Sequence, residues 1–327
     1  NYTSSAQLKS TYSGLGTIYR NGYFEKELVD YHTQNVKAGL ATHYRIKSDL
    51  ELIFSSSFGT GSTIYQGENR FRLENILFFQ NRLELVKKDR FFIRAYATNE
   101  NAGNSYDAVV TAFELQNLSK SNNDWKEAYQ NGWVGGGLNA PRFLVRNLPG
   151  YPKNPFVESV YDSVVATNMV LIQQLHDQVR AYANKAGGLN THDFYAPGTA
   201  RFDSALAEVK SRTLANKGSL LKDRSALYHI HGEYKFKLKE FAEFTTGANA
   251  RIYRPHSDGT IFSDTLVIDR ISMGDTLYKR RIITNGEIGA YIGAKKKLMQ
   301  DKLKQSATVR VDKNQNFNWI STQSFSG

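Results

Sequence analysis

The feature that most constrains this fold is a long, nearly unbroken alternation of apolar and polar residues. In residues 36–46 the even positions hold the mostly apolar set, namely Val36, Ala38, Leu40, Thr42, Tyr44 and Ile46. Lys37, His43 and Arg45 lie on the odd positions between them, and the alternation resumes through residue 58 after a Lys-Ser-Asp turn. Successive side chains of a β-strand point to opposite faces. The pattern therefore predicts a hairpin with one apolar face and one polar face.

Residues 69–86 give the strongest single β signal. One parity carries Phe71, Leu73, Leu77, Phe79, Leu83 and Leu85, and the other carries Arg70, Arg72, Glu74, Gln80, Arg82 and Glu84. At helical spacing these charges would spread around the cylinder, so strand periodicity fits better. The predicted strand is longer, and its polar face more charged, than is typical of a soluble sandwich.

The same alternation recurs along the chain and predicts about eight or nine strands. The further segments are 91–98, 225–236, 241–253, 287–297, 302–312 and 317–325. Short turns are expected at 47–49, 87–90, 237–240 and 297–301, and longer connections at 60–68, 99–225 and 254–285, with 313–316 as an exception. Phe91, Phe92, Phe236, Phe241 and Phe244 crowd the short turns.

Short and long connections on alternate ends, with aromatic residues near one end, are typical of an outer-membrane barrel. The fold expected is all-β: an antiparallel up-and-down transmembrane β-barrel, partial at this strand count. Its apolar face would rest on lipid and its polar face would line a lumen. The alternative is a large soluble sandwich or meander, in which the same aromatic residues fill a core.

The long connection 99–225 differs from the rest because its periodicity is helical. Helices are predicted at 107–118, around 122–133, at 156–185 and at 202–216. Long loops inside a compact domain usually serve function. We expect this one to form a partly helical cap over the extracellular mouth of the barrel.

Composition excludes several other classes. The chain has no run of about 18 apolar residues that would predict a transmembrane helix, and it has no cysteine for disulfides or thiolate metal sites. Its formal net charge is +11, but the basic residues are scattered, with Lys295, Lys296 and Lys297 as the densest cluster. We do not expect nucleic acid as a partner, because such proteins concentrate their charge on one element.

Three motifs resemble one family. Residues 97–109 read ATNENAGNSYDAV, residues 285–304 read NGEIGAYIGAKKKLMQDKLK, and residues 308–317 read TVRVDKNQNF. In their order and spacing these segments are similar to the TonB-dependent outer-membrane receptors of Bacteroidetes-type bacteria. The first would lie where a strand enters a long external loop, and the second would be a strand–turn–strand unit.

The resemblance implies a receptor in the outer membrane of a Gram-negative cell that binds a solute and imports it with energy supplied through TonB. The solute would be an oligosaccharide, a peptide or a metal chelate. The partners implied are outer-membrane lipid, the TonB complex acting through a plug domain, and a surface lipoprotein. Neither the plug nor the closing strands are matched, and plugged transporters need about 22 strands. We therefore expect residues 1–327 to be an internal part of one barrel domain.

Candidate solute-binding residues follow from this expectation. Arg72, Arg94, Tyr96 and Glu100 would face the lumen near the external mouth. Trp125 and Trp133 would lie in the cap, where aromatic rings stack on sugars or peptides; the alternative is that they pack helices together.

No catalytic residue, cofactor or metal site is predicted. His229, His231 and Glu233 share one face of a strand, but they are interpreted as polar lumenal residues because one strand rarely supplies a whole metal site. His176 and Asp177 lie beside no nucleophile motif. The alternative function is a soluble all-β ligand- or glycan-binding module with a helical insertion, and a glycan-active version would need a pair of acids on a concave face.

Overall fold

The computed structural model describes residues 5–187, 191–238, 241–272, 275–298 and 303–327. The chain forms two compact units. One comprises Asn1–Val29 with Val109–Val209, and the other comprises Asp30–Ala108 with Lys210–Gly327. From the sequence, helices were expected only in the 99–225 connection. The N-terminal segment also belongs to the helical unit, which no sequence pattern predicted.

The second unit is built on one antiparallel sheet. Nine strands follow one another across it: β1 (Gln34–Lys47), β2 (Leu50–Gln66), β3 (Arg70–Lys87), β4 (Phe91–Asn101), β6 (Ala226–Leu238), β7 (Ala242–Arg254), β10 (Asn285–Leu298), β11 (Leu303–Asn314) and β12 (Ile320–Ser326). A short β5 (Tyr106–Asp107) pairs with β3, and β8 (Leu266–Ser272) pairs with β9 (Asp275–Arg280) as a separate hairpin. The nine predicted strand segments are confirmed. Strands β1 and β12 are the two edges of this path, so the sheet is open.

The connections match the prediction only in part. Turns at 48–49 and 88–90 are short as expected, and those after β6 and β10 fall partly on residues outside the described ranges. The long connection predicted at 60–68 is wrong, because β2 runs to Gln66 and only residues 67–69 separate it from β3. Gly61, within the predicted loop, allows close packing of two strands. A Cβ on Gly61 would lie 2.5 Å from the Gln34 carbonyl oxygen of the neighbouring strand.

A β-bulge in β3 changes which face its first residues occupy. Between the pairs Gly61–Ile76 and Thr63–Leu73, β3 holds one residue more than β2, and Asn75 adopts a positive φ of 54°. The Asn75 amide donates to the Ser62 hydroxyl at 3.0 Å. Because one extra residue reverses the alternation, Phe71 and Leu73 lie on the opposite face from Leu77, Phe79, Leu83 and Leu85. The prediction that the apolar residues of 69–86 all share one face is therefore wrong for the residues that precede the bulge.

The first unit is helical. Its elements are α1 (Ser5–Thr11), α2 (Glu25–Leu28), α3 (Ala108–Ser119), α4 (Asn122–Val134), α5 (Pro141–Arg146), α6 (Glu158–Thr167), α7 (Met169–Ala183) and α8 (Ala200–Ser211). The single helix predicted at 156–185 is wrong, because Asn168 separates α6 from α7. Asn168 has a non-helical backbone, with φ −106° and ψ 24°, and its side-chain amide donates at 2.9 Å to the Val164 carbonyl, which its own backbone amide also reaches. No helix in the described ranges has both the length and the apolar character needed to cross a bilayer.

Helices α4 and α7 form the core of the helical unit. Trp125, Tyr129 and Trp133 recur every four residues on α4, so they lie on one face of it. They pack against a buried set on α7, namely Ile172, Leu175, Val179 and Ala183. The N-terminal segment closes this core: Trp133 Nε1 donates to the Ser13 carbonyl at 3.0 Å. Gly14 follows with a φ of +81°, where a Cβ would lie 2.8 Å from a methyl group of Val145.

Candidate functional site

One face of the sheet is apolar, and its large side chains are exposed. Large side chains on it include Val36, Leu40, Tyr44, Phe54, Phe79, Leu83, Ile93, Tyr228, Ile230, Tyr234, Ile252, Ile288, Ile292 and Val309, all of them exposed. Their strand register places them on the same side, since residues directly opposite on neighbouring strands share a face. Leu40 is 64% exposed, Ile230 is 51% and Ile292 is 50%. These are solvent exposures typical of a surface, not of a core.

The size of this apolar face is unusual for a water-soluble monomer. An aromatic side chain presents roughly 150–250 Å², so the five aromatic residues among this set, each about half exposed, contribute roughly 400–500 Å² on their own. The aliphatic residues at least double that area. Soluble monomers rarely expose contiguous apolar patches larger than a few hundred Å². The few polar residues within the face are satisfied locally, as where Ser56 donates to Asn81 at 2.8 Å.

The opposite face carries ion pairs between neighbouring strands. Arg94 on β4 donates to Glu84 on β3 at 2.7 Å, and Arg251 on β7 donates to Glu287 on β10 at 2.5 Å. On β11 the Arg310 guanidinium reaches both carboxylate oxygens of Asp312, at 2.6 and 2.7 Å. Within each of these pairs the two charges compensate each other. The face is therefore rich in hydrogen-bonding groups.

Aromatic and imidazole rings lie among these ion pairs. The ring centroids of Tyr96 and His229 are 4.8 Å apart, and those of Phe92 and His231 are 4.9 Å apart. The Tyr291 hydroxyl donates to Glu233 at 2.5 Å. His229, His231 and Glu233 thus share the polar face, as the sequence predicts, but each engages a different partner. This arrangement can hydrogen-bond and stack on a polar, uncharged molecule.

The structure places three of the four predicted sheet residues on this face. Arg94, Tyr96 and Glu100 occupy alternate positions of β4 on the polar side, and Arg94 and Tyr96 lie next to each other there. Arg72 does not join them. Because of the bulge at Asn75 it is paired with Ile64 and Tyr106, on the continuation of the other face. It is only 3% exposed, and its Nη2 lies 3.9 Å from Asp30.

The two predicted tryptophans lie in the core of the helical unit. Trp133 is fully buried and stacks on the His176 ring at a centroid distance of 4.2 Å. Trp125 is 5% exposed, and its Nε1 donates to Asn184 at 2.8 Å. Stacking on a bound solute requires an accessible ring face, and neither residue offers one. Their placement corresponds to the helix-packing alternative.

His176 is held as a neutral group that supports this core. Its Nε2 lies 3.0 Å from the Gly14 carbonyl, which can only accept, so the proton is on Nε2 and Nδ1 accepts from the Tyr129 hydroxyl at 2.6 Å. Burial lowers the pKa of His176, and the hydrogen bond to Gly14 offsets only part of that effect. Asp177 pairs with Arg180 at 2.6 Å instead. Both ring nitrogens of His176 and the carboxylate of Asp177 are therefore engaged by groups within the helical unit.

A cluster that the sequence did not indicate lies in the connection after β7. Potential metal ligands of His256, Asp258 and Asp264 lie within 4.8 Å of one another. However, Arg280 contacts both His256 and Asp258, and Lys222 pairs with Asp258 at 2.8 Å. Asp264 accepts from the backbone amides of Ser257 and Gly259 at 2.6 and 3.0 Å. The cluster therefore acts as an ion-pair network that shapes a turn.

The carboxylate of Asp264 is stabilised in its charged form. Burial alone would raise its pKa, but the hydrogen bonds from Ser257 and Gly259 outweigh burial and lower the pKa. A sequence signal for this turn does exist, since Ser-Asp-Gly-Thr at 257–260 is a typical turn composition. What the sequence did not reveal is that the side chain of Asp264, beyond the turn, completes it.

Comparison with known proteins adds no identification. The sequence matches no protein-family model, and no curated protein matches it either.

Proposed function

We propose that this chain is part of a TonB-dependent outer-membrane receptor, with the strands of its large sheet crossing the outer membrane. The observation that carries the proposal is the uncovered apolar face of the nine-strand sheet. In a bilayer, hydrocarbon would cover these exposed side chains. Each of them would then contribute the favourable free energy of transfer from water to an apolar environment. The same residues in a soluble protein would be a liability for aggregation.

Strand length supports the proposal. A transmembrane β-strand needs about 9–11 residues. With the short β5 set aside, the eight strands from β1 to β11 in the main sheet meet this length, from 11 residues in β4 to 18 in β3. A backbone inside hydrocarbon must satisfy its hydrogen bonds by closing a barrel. We therefore propose that the edges at β1 and β12 pair with further strands of a larger barrel.

The polar face supports the choice of transport over catalysis. In the proposed barrel it would line the interior, where a polar surface allows a hydrated solute to pass. Its ion pairs and rings favour hydrogen bonding and stacking, which suits a polar solute such as an oligosaccharide. Arg94, Tyr96 and Glu100 remain the proposed contacts. The energy would come from TonB through a plug domain, and a surface lipoprotein remains a proposed partner.

Cell fractionation of the full reading frame that contains this chain tests the proposal. We expect the product in the outer-membrane fraction, running as a faster band on a gel without heating and as a slower band after boiling. The matched control is a known soluble periplasmic protein expressed from the same promoter. Recovery of the product in the soluble fraction would overturn the proposal and favour a soluble ligand- or glycan-binding module.

A further inference from the structure

A gap in the apolar face lies near the end of the sheet that carries the short turns. The register across β7, β10, β11 and β12 sets Phe244, Ala294, Ala307 and Phe325 in one transverse row. Neighbouring strands are about 4.8 Å apart, so the two phenylalanines stand roughly 14 Å apart. The two alanines form an apolar floor, and a cavity of about 540 Å³ lies over them with Phe325 and Phe241, but not Phe244, in its lining.

A cation stands at the rim of this cavity. Lys296 is the next residue on the same face of β10 after Ala294, and it lines the cavity together with Phe241. Its ammonium lies 4.5 Å from the centroid of the Phe241 ring. This is the position in which a lysine covers apolar surface with its stem and keeps its charge at the interface. Lys295 and Lys297 lie on the opposite face of the strand, because side chains alternate.

We propose that this cavity binds one anionic phospholipid. An acyl chain would lie on Ala294 and Ala307 beside the rings of Phe241 and Phe325, and the phosphate would contact Lys296. The inference rests on the proposed function, because it requires this face to meet a bilayer. The charge on Lys296 selects the headgroup. A choline cation would normally favour an aromatic face, but Lys296 already occupies the Phe241 ring and would repel it.

Native mass spectrometry of the full-length protein, purified from the outer membrane in mild detergent, tests this site. The probes are phosphatidylglycerol and phosphatidylcholine with identical acyl chains. We expect the wild type to bind phosphatidylglycerol more tightly than phosphatidylcholine. Lys296→Gln should weaken phosphatidylglycerol binding about fivefold, because a lysine near a membrane surface contributes about 1 kcal/mol. Lys297→Gln is the matched control, since it removes the same charge from the opposite face. The Lys297→Gln protein should bind phosphatidylglycerol as tightly as the wild type does.

A second variant separates the cavity from the charge. Ala294→Phe fills the floor while Lys296 stays in place, so binding of both lipids should fall. Equal losses in Lys296→Gln and Lys297→Gln would show that charge acts diffusely and would overturn the inference. So would an Ala294→Phe protein that binds both lipids as the wild type does. These failures concern a protein recovered from the membrane, whereas a soluble product would overturn the proposed function itself.

Discussion

The proposed function depends on whether the apolar face contacts lipid or water. The Leu83→Arg variant distinguishes these two environments by its effect on the free energy of unfolding. Leu83 lies near the middle of the paired part of β3 and is 50% exposed. If water covers it, the variant loses about half of the roughly 2 kcal/mol that full burial of a leucine contributes, or about 1 kcal/mol. If hydrocarbon covers it, an arginine near the bilayer midplane alone costs about 2–4 kcal/mol. The expected loss in lipid is therefore at least about 3 kcal/mol.

The assay is denaturant unfolding of the full-length protein refolded into lipid vesicles. The slower migration of the boiled form reports the unfolded fraction, and linear extrapolation gives the free energy of unfolding. The matched control is Gln80→Arg, an exposed residue on the polar face of the same strand. It should change the free energy of unfolding by no more than about 0.5 kcal/mol. Equal, small effects of the two variants would refute the reasoning, because they would show that both faces meet water.

Three further predictions concern the helical unit and the turn after β7. Trp133→Ala should destabilise the helical unit by about 3–5 kcal/mol because it removes a fully buried ring. The control Phe113→Ala, at an exposed site, should change the unfolding midpoint little. Denaturant titration measures both variants. Because the folded pKa of His176 is lowered, unfolding takes up a proton, so stability should be greatest above the ordinary pKa of about 6.5 and fall as the pH drops through the folded value. His176→Gln should lack this slope in tryptophan-fluorescence titrations, and an unchanged slope would exclude His176 as its source. Asp264→Asn should lower the free energy of unfolding by about 1–3 kcal/mol, because it weakens the hydrogen bonds to a buried acceptor. The difference from the wild type should shrink in strong acid, where the wild-type carboxylate is also protonated. Hydrogen exchange of the backbone amides at 257–259 measures this difference.

The strands were predictable from the sequence because their signal is local. Alternation at residues 36–46 follows from side-chain geometry alone, and the predicted faces of β1 and β4 match the register. The face of Arg72 was not predictable. It depends on one extra residue at Asn75, and the sequence does not distinguish a bulge from a regular strand at that point.

The helical core shows a second limit. Trp125 and Trp133 recur at helical spacing, which fits a buried stripe and a binding platform equally well until the partner helix is known. The structure supplies that partner in α7 and the N-terminal segment. The contact between Gly14 and His176 spans more than 160 residues of sequence, and no local pattern predicts such a contact.

The open edges of the sheet have a consequence for how the proposed barrel would enter a membrane. Strand β1 is exposed along its whole length, and every second backbone amide and carbonyl on its outer side needs a partner. In hydrocarbon each unmet group costs several kcal/mol, and in water the same edge recruits strands from other copies. In the proposed barrel, insertion and edge pairing would therefore have to occur together, with the edges shielded from other copies until both happen.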